Sequence, residues 1–184
     1  MTPCRLCGST SLAQVVDLGA TPPCELFLTA EQLAEPEVTY PLCLRVCTAC
    51  WLAQIPPLIT PQDTFTEYAY FSSYSDSWVR HAREFVHAAI DRVGLDGVGL
   101  DGDSADGFVV EVASNDGYLL QHVVERGLRC LGIEPSVNVG QAARDKGVPT
   151  LSEFLTPDTG AAVRTKHGPA DLVVATTSTH TFRT

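Results

Sequence analysis

Four cysteines stand in two pairs, Cys4-x-x-Cys7 and Cys47-x-x-Cys50, with 39 residues between the pairs. Each pair lets two thiolates reach one ion from a tight turn whose backbone N–H groups steady the sulfur charge. Two such pairs complete a tetrahedral sulfur site of the kind that holds zinc. Sulfur fills all four positions and leaves none for water, so the expected ion is structural. Gly8 follows the first pair, where a knuckle turn calls for the left-handed backbone that glycine adopts without penalty. The alternative is four buried free cysteines. Cys24, Cys43 and Cys130 have no partner at ligand spacing and are expected to be small buried hydrophobes.

A second constellation is Glu111-Val-Ala-Ser-Asn-Asp-Gly117, where an apolar run gives way to a helical pattern. In doubly wound folds ligands bind at the carboxyl ends of strands, beside such turns. The small residues Ala113, Ser114 and Gly117 let backbone approach a ligand, and Glu111, Asn115 and Asp116 supply polar groups. Glu134 lies 17 residues beyond Gly117, at the end of a second apolar run. A carboxylate there can accept hydrogen bonds from both hydroxyls of a ribose. One glycine is too few for the close backbone donors that a pyrophosphate needs, which disfavours NAD and FAD. S-adenosylmethionine (SAM), which has no phosphate, asks less of the turn. The alternative is an ordinary strand-to-helix turn.

The elements that must position these groups fall into three regions. Residues 1–60 hold six of the seven cysteines. Their short apolar runs, Leu12–Leu18 and Tyr40–Val46, are separated by turn residues, which predicts short strands and little helix. From Ser75 to Val93 the apolar positions Val79, Ala82, Val86, Ala89, Ile90 and Val93 recur at helical steps, with Ser75 or Asp76 as the cap and Gly94 as the stop. His81 and His87 lie opposite that stripe and are expected on the surface. Residues 94–107 form a Gly/Asp-rich linker, which lacks the closing Glu of an EF-hand. Beyond it, strands are expected at Phe108–Ala113, Leu128–Ile133, Val148–Leu151 and Ala170–Ala175, with helices at Tyr118–Arg126 and Val137–Lys146. That alternation predicts a parallel sheet with right-handed crossovers. The expected divisions are 1–60 (metal module), 61–107 (substrate-side segment, helix and linker), 108–175 (partial cofactor domain) and 176–184 (tail).

Composition narrows the classes of function. Hydrophobic residues make up 45% of the 184 and charged residues 18%, which suits a packed core and not a disordered chain. A net charge of −10 and the absence of a Lys/Arg run count against nucleic acid. No apolar stretch is long enough to span a bilayer, and the first residues lack the basic and apolar regions of a secretory signal. A cytoplasmic location is therefore expected, where thiols stay reduced and metal is favoured over disulfides.

Taken together, the motifs resemble a family of nucleotide-sugar C-methyltransferases of deoxysugar and antibiotic biosynthesis. The matching pieces are Cys4-Arg-Leu-Cys7-Gly8, Asp17-Leu-Gly19, Tyr40-Pro-Leu42, Cys47-Thr-Ala-Cys50, Tyr70-Phe-Ser-Ser-Tyr74-Ser75, Val110-Glu-Val-Ala-Ser-Asn-Asp-Gly-Tyr-Leu-Leu120 and Gly132-Ile-Glu-Pro-Ser136. The resemblance implies an α/β fold: a small zinc-binding, β-rich N-terminal module followed by the first half of a Rossmann-like SAM methyltransferase domain. It also implies a chemistry. A dTDP-4-keto-deoxyhexose loses a proton beside its ketone, at C3, and the resulting carbanion takes the methyl group of SAM. Tyr70 and Tyr74 match the motif that the family places beside the sugar, to bind it or steady the enolate. A monomer is expected of the full-length protein. The competing readings are a zinc-dependent module that binds nucleic acid or protein without catalysis, and an NAD-dependent sugar enzyme.

The chain departs from the family after Ala175. The family continues in a form like Ala-Asn-Asn-Val-x-Ala-His-Val-Pro-Asp and later carries Tyr-His-Glu-His, which supplies the base. Here the sequence is Ala-Thr-Thr-Ser-Thr-His-Thr-Phe-Arg-Thr. With synonymous codons chosen to suit, GCC AAC AAC GTC CAC GCA CAC GTT CCG GAC G encodes the family's ending. Deleting one A from the first AAC converts it into the ending observed. A frameshift is therefore expected after Ala175, His180 is not given the family's histidine role, and the 184 residues alone are expected to be inactive.

Overall fold

The structure, a computed structural model, describes residues 2–24, 26–65, 67–95 and 107–176. The Gly/Asp-rich linker, apart from its ends, and the tail from residue 177, including His180, lie outside the described residues. The chain divides into two compact units, Met1–Thr64 and Phe65–Thr184. No helix among the described residues is long and apolar enough to cross a membrane.

The first unit is a three-stranded antiparallel sheet of β1 (Leu12–Thr21), β2 (Tyr40–Cys47) and β3 (Ala53–Gln54), in that order. The first two are the expected strands. A two-residue β3 is too short to show alternation and was not foreseen. β1 pairs with β2 from Leu12↔Cys47 to Thr21↔Tyr40. This register brings the end of β2 beside the chain entering β1, and Thr48 N–H donates to the Ser11 carbonyl at 3.0 Å. The unit has little apolar core. Among its described residues only Cys4, Cys43, Cys47 and Gln54 are buried. A short helix, α1 (Pro61–Phe65), follows.

The second unit opens with a 3-10 turn at Ser72–Tyr74 and α2 (Asp76–Val93). Ser75 caps α2, its hydroxyl accepting from Trp78 N–H, and Gly94 ends it at φ +75°. Ala82, Val86 and Ile90 are the buried stripe, as the period predicts. There follow β4 (Phe108–Val112), α3 (Leu120–Glu125), β5 (Arg129–Ile133), α4 (Val137–Asp145), β6 (Thr150–Leu151), α5 (Pro157–His167) and β7 (Leu172–Val174). All four expected strands are present and parallel. Helix α5 is an addition: Thr156 caps it and Pro157 starts it, but it buries only Thr159 and Val163, too thin a stripe for periodicity to reveal.

The strands lie in the order β6-β5-β4-β7. Numbered within this sheet, that is 3-2-1-4, the opening order of a Rossmann-type doubly wound sheet. One face packs Val109 and Cys130 against Ala82, Val86 and Ile90 of α2 and Val123 of α3. The other packs Phe108, Val110, Leu131 and Ile133 against Val163 of α5. The strands stay parallel, but the order in which they are added reverses at β4: β5 and β6 lie on one side of it and β7 on the other, so the crevice where ligands bind in such sheets opens above the carboxyl end of β4.

Candidate metal centre and cofactor turn

The two knuckles are built alike. Gly8 N–H donates to the Cys4 carbonyl at 2.9 Å, and Trp51 N–H donates to the Cys47 carbonyl at 2.8 Å. Gly8 takes φ +74° and Trp51 takes φ +64°, so a bulky residue occupies in the second turn the left-handed position that glycine fills in the first. The buried Gln54 ties the first knuckle to β3 by accepting from Arg5 N–H.

The four sulfurs of Cys4, Cys7, Cys47 and Cys50 lie within 4.8 Å of one another. Cys4 and Cys50 are 3.6 Å apart, as are Cys7 and Cys47. A tetrahedron with zinc–sulfur arms of about 2.3 Å has edges of about 3.8 Å, so the thiols already stand at the corners of a zinc site. Their titration says the same. Backbone N–H from Cys7 leads the effects that hold the Cys4 thiol down at about 6. Leu52 N–H favours the Cys50 thiolate, yet burial and the three neighbouring sulfurs push that thiol up to about 12. Four thiolates at this spacing repel one another, and a bound cation removes the conflict. Of the three remaining cysteines, Cys43 and Cys130 are buried as expected. Cys24 is exposed, a correction to the sequence reading: a lone cysteine in a Pro-rich stretch has no apolar periodicity to hold it inside.

In the second unit, the chain leaves β4 through a strained turn. Ala113 and Asn115 have φ of +54° and +50°, conformations that cost about 1–2 kcal/mol each outside glycine. Gly117 follows at φ +77°. A Cβ there would come within 3.1 Å of Val148 and 3.3 Å of Ala143, so this glycine has a packing reason as well as a conformational one. A Cβ on Gly132 of β5 would sit 2.9 Å from Cβ of Ser114, which explains a glycine in a central strand.

Glu134 sits at the end of β5, as expected, and is buried. Its two carboxylate oxygens accept Asn115 N–H and Ser136 N–H, each at 2.9 Å. Each oxygen keeps a second lone pair for a ligand hydroxyl. Glu111 is wholly buried, and strand alternation puts it on the Val109 face. Neither of its oxygens has a partner among the described residues, nor do Ser114 Oγ and Asp116 Oδ1. Burial first, then the charges of Glu134 and Asp116, push its carboxyl well above the ordinary 4.5.

These orphaned acceptors test the cofactor. Three carboxylates converge on a buried turn, which repels a pyrophosphate and suits a ligand bearing positive charge and hydroxyls. SAM carries a sulfonium, an ammonium and a ribose, and the residues fit it. Glu111 also yields a pH prediction. A carboxyl with a raised folded pKa stabilises the fold fully below its unfolded value and loses that contribution as pH rises through the folded value. The ligand-free chain is therefore expected to lose stability from about pH 4.5 upward. Glu111→Gln should flatten that slope in thermal melts; an unchanged slope would show that Glu111 does not cause it.

The structure also joins two motifs that the sequence reading treated separately. The Asn115 side chain accepts Ser72 N–H at 2.8 Å and donates to the Tyr70 carbonyl at 3.1 Å. Ser73 Oγ donates to Asp116, whose Oδ2 also takes Lys146 Nζ at 2.8 Å. Tyr70 and Tyr74 thus belong to a segment stapled onto the turn. Their rings remain open, at 49% and 82% exposure, with Tyr74 stacked on Phe71. Sequence reasoning missed Lys146, Ser72 and Ser73. Lys146 ends a helix as any solvated lysine does, and only the fold shows it reaching Asp116. His81 is exposed as expected, and His87 is half-buried.

Comparison with known proteins accords with this geometry. Residues 4–65 match the family Methyltransf_13, described as "Putative zinc binding domain". Over 170 residues the chain is 36% identical to the C-methyltransferase NovU of Streptomyces niveus, a match covering 92% of this chain and 39% of NovU. The resemblance to C-methyltransferases with a zinc-binding domain is therefore borne out, for a chain that spans about 39% of that relative's length. Among solved structures, the sugar N-methyltransferase KedS8 from Streptoalloteichus sp ATCC 53650 matches at 19% identity and TM-score 0.35, covering 68% of this chain and 62% of its own. A SAM dependent methyltransferase from Archaeoglobus fulgidus matches at 18% identity and TM-score 0.27, covering 39% and 29%. The strand order, and not these superpositions, carries the fold.

Proposed function

We propose that this chain is the zinc-bearing and SAM-binding portion of a methyltransferase that alkylates carbon on a 4-keto-deoxy sugar nucleotide, at C3. The observation that carries the reading is the strained turn Ala113–Gly117, with its buried carboxylates, set at the switch point of the sheet. NovU, similar over most of the chain, supports carbon as the acceptor. When bound, SAM supplies a methyl group on a positively charged sulfur.

The residues of the chain bind and orient. Glu134 receives the ribose hydroxyls and, through Asn115 N–H, fixes the turn. Glu111, whose carboxyl resists ionisation until a cation arrives, and Asp116, already paired with Lys146, offer open acceptor oxygens to a cationic ligand in a buried setting. Asn115 holds the Tyr70–Tyr74 segment on the same turn, so a sugar lying on that segment is brought near the cofactor and the encounter is pre-ordered. Tyr70 and Tyr74 each carry a phenol hydroxyl, which both donates and accepts hydrogen bonds. Their part is to hydrogen-bond the sugar or its enolate. The four cysteines fill every position of their zinc, with no coordination position left for substrate.

The test is transfer of label from methyl-labelled SAM to a dTDP-4-keto-deoxyhexose by a full-length protein that carries these residues. The expected product bears the methyl on C3. Methyl on oxygen or nitrogen would overturn the assignment to carbon.

A further inference from the structure

Beside the cofactor turn the second unit has a concavity of about 480 Å3, lined in part by Ser73, Asp76, Arg80, Arg83, His122 and Lys146. Its charge is unlike that of the rest of the molecule. The chain has a net charge of −10 and only 12 Lys and Arg residues, yet three of them line this one hollow against one lining carboxylate, Asp76.

Two of the three cations are uncommitted. Lys146 is paired with Asp116 at 2.8 Å. Arg80 and Arg83 have no hydrogen-bond or ion-pair partner among the described residues. They are three residues apart on α2, which makes them neighbours on one helix face. His122 is buried, its Nδ1 is 2.9 Å from Glu125, and its Nε2 has no partner among the described residues. When the ring carries both protons, Nδ1–H meets the Glu125 carboxylate and Nε2–H is a donor for an anion. The Ser73 hydroxyl links this wall to the segment that holds Tyr70 and Tyr74.

We infer that this hollow is an anion site for the diphosphate of the nucleotide-sugar substrate. The inference rests on the methyl-transfer reading and deepens it. Two free guanidinium forks and an imidazole suit phosphate oxygens, which Arg binds in pairs. The place suits the substrate as well: Ser73 lies between the two tyrosines that would face the sugar, so phosphates bound here put the sugar next to them.

The experiment is calorimetric titration of the zinc-loaded chain with dTDP and, separately, with SAM, for wild type and for the Arg80→Gln/Arg83→Gln double variant. Both arginines are exposed on a helix, so the variant should fold, which circular dichroism checks. Charge-assisted hydrogen bonds of this kind are lost at a cost of roughly tenfold or more in Kd. The expected result is weakened dTDP binding, unchanged SAM binding, displacement of dTDP by inorganic pyrophosphate, and weaker dTDP binding as salt is added. Equal dTDP affinity in both proteins, no displacement by pyrophosphate, or a loss of SAM affinity in the variant would overturn the assignment; the last would give the hollow to the SAM carboxylate instead. If wild type binds SAM but not dTDP, the anion site falls and the methyl-transfer reading stands. If it binds neither, both fall.

Discussion

Chelation of zinc is expected to unfold the first unit while the sheet and helices of the second keep their structure. Three of the four buried residues described in the first unit are cysteines, and two of those three, Cys4 and Cys47, are metal ligands. An apolar core that thin does not offset the entropy of ordering the chain. Zinc bound by four thiolates contributes roughly 10–16 kcal/mol in comparable small modules, and in them that binding energy is the folding energy. Without the ion, the sulfurs at 3.6 Å become a source of repulsion or of protonated, unpaired thiols. The second unit has two apolar layers of its own and no part in the metal site. Amide hydrogen exchange on the intact chain reads both units at once. Protection at Cys47 and Trp51, whose N–H groups bond Leu52 and Cys47, should vanish with chelator and return with zinc, while protection along β4 and β5 persists. Cys47→Ser should behave like the chelated protein. Retained protection at Cys47 after the metal has been removed would show that the sheet, and not zinc, holds the module.

Glu134→Ala is expected to abolish measurable SAM binding and to lower the stability of the second unit. Removing a carboxylate that accepts two ribose hydroxyls forfeits about 1.5–3 kcal/mol for each, hence roughly a hundredfold to ten-thousandfold in Kd. The same change leaves Asn115 N–H and Ser136 N–H without their acceptors, two buried donors at about 1–3 kcal/mol apiece. Asn115 already sits in a strained backbone, so the turn has little reserve. Glu134→Gln separates the two effects. Its amide keeps the shape and one acceptor, so the fold should survive while affinity still falls. Calorimetry and a thermal melt on both variants check this. SAM affinity unchanged in Glu134→Gln would move the ribose away from β5.

Much of this was legible before the structure. The strands of the second unit are short apolar runs ended by turn residues, and a period of two or a continuous run suffices to find them. The S4 site was legible because knuckle spacing constrains sulfur positions locally. Less accessible were features that depend on the return of the chain. Strand order cannot be read from strand positions, yet it places Glu111 and Glu134 on neighbouring strands, β4 and β5. Helix α5 escaped because two buried side chains do not make a stripe. The staple from Asn115 to Tyr70 and Ser72 spans more than forty residues and leaves no local mark. Arg80 and Arg83 looked like the solvated face of an amphipathic helix, and only the packing of α2 beside α3 turns that face into the wall of a hollow.

The central claim is that the turn at the end of β4 binds SAM, and titration of the zinc-loaded chain with SAM tests it most directly. The prediction is saturable binding of one SAM per chain, competed by S-adenosylhomocysteine and lost in Glu134→Gln, with no binding of NAD. Binding of NAD in its place, or no binding of SAM by a chain shown to be folded and zinc-loaded, would contradict it.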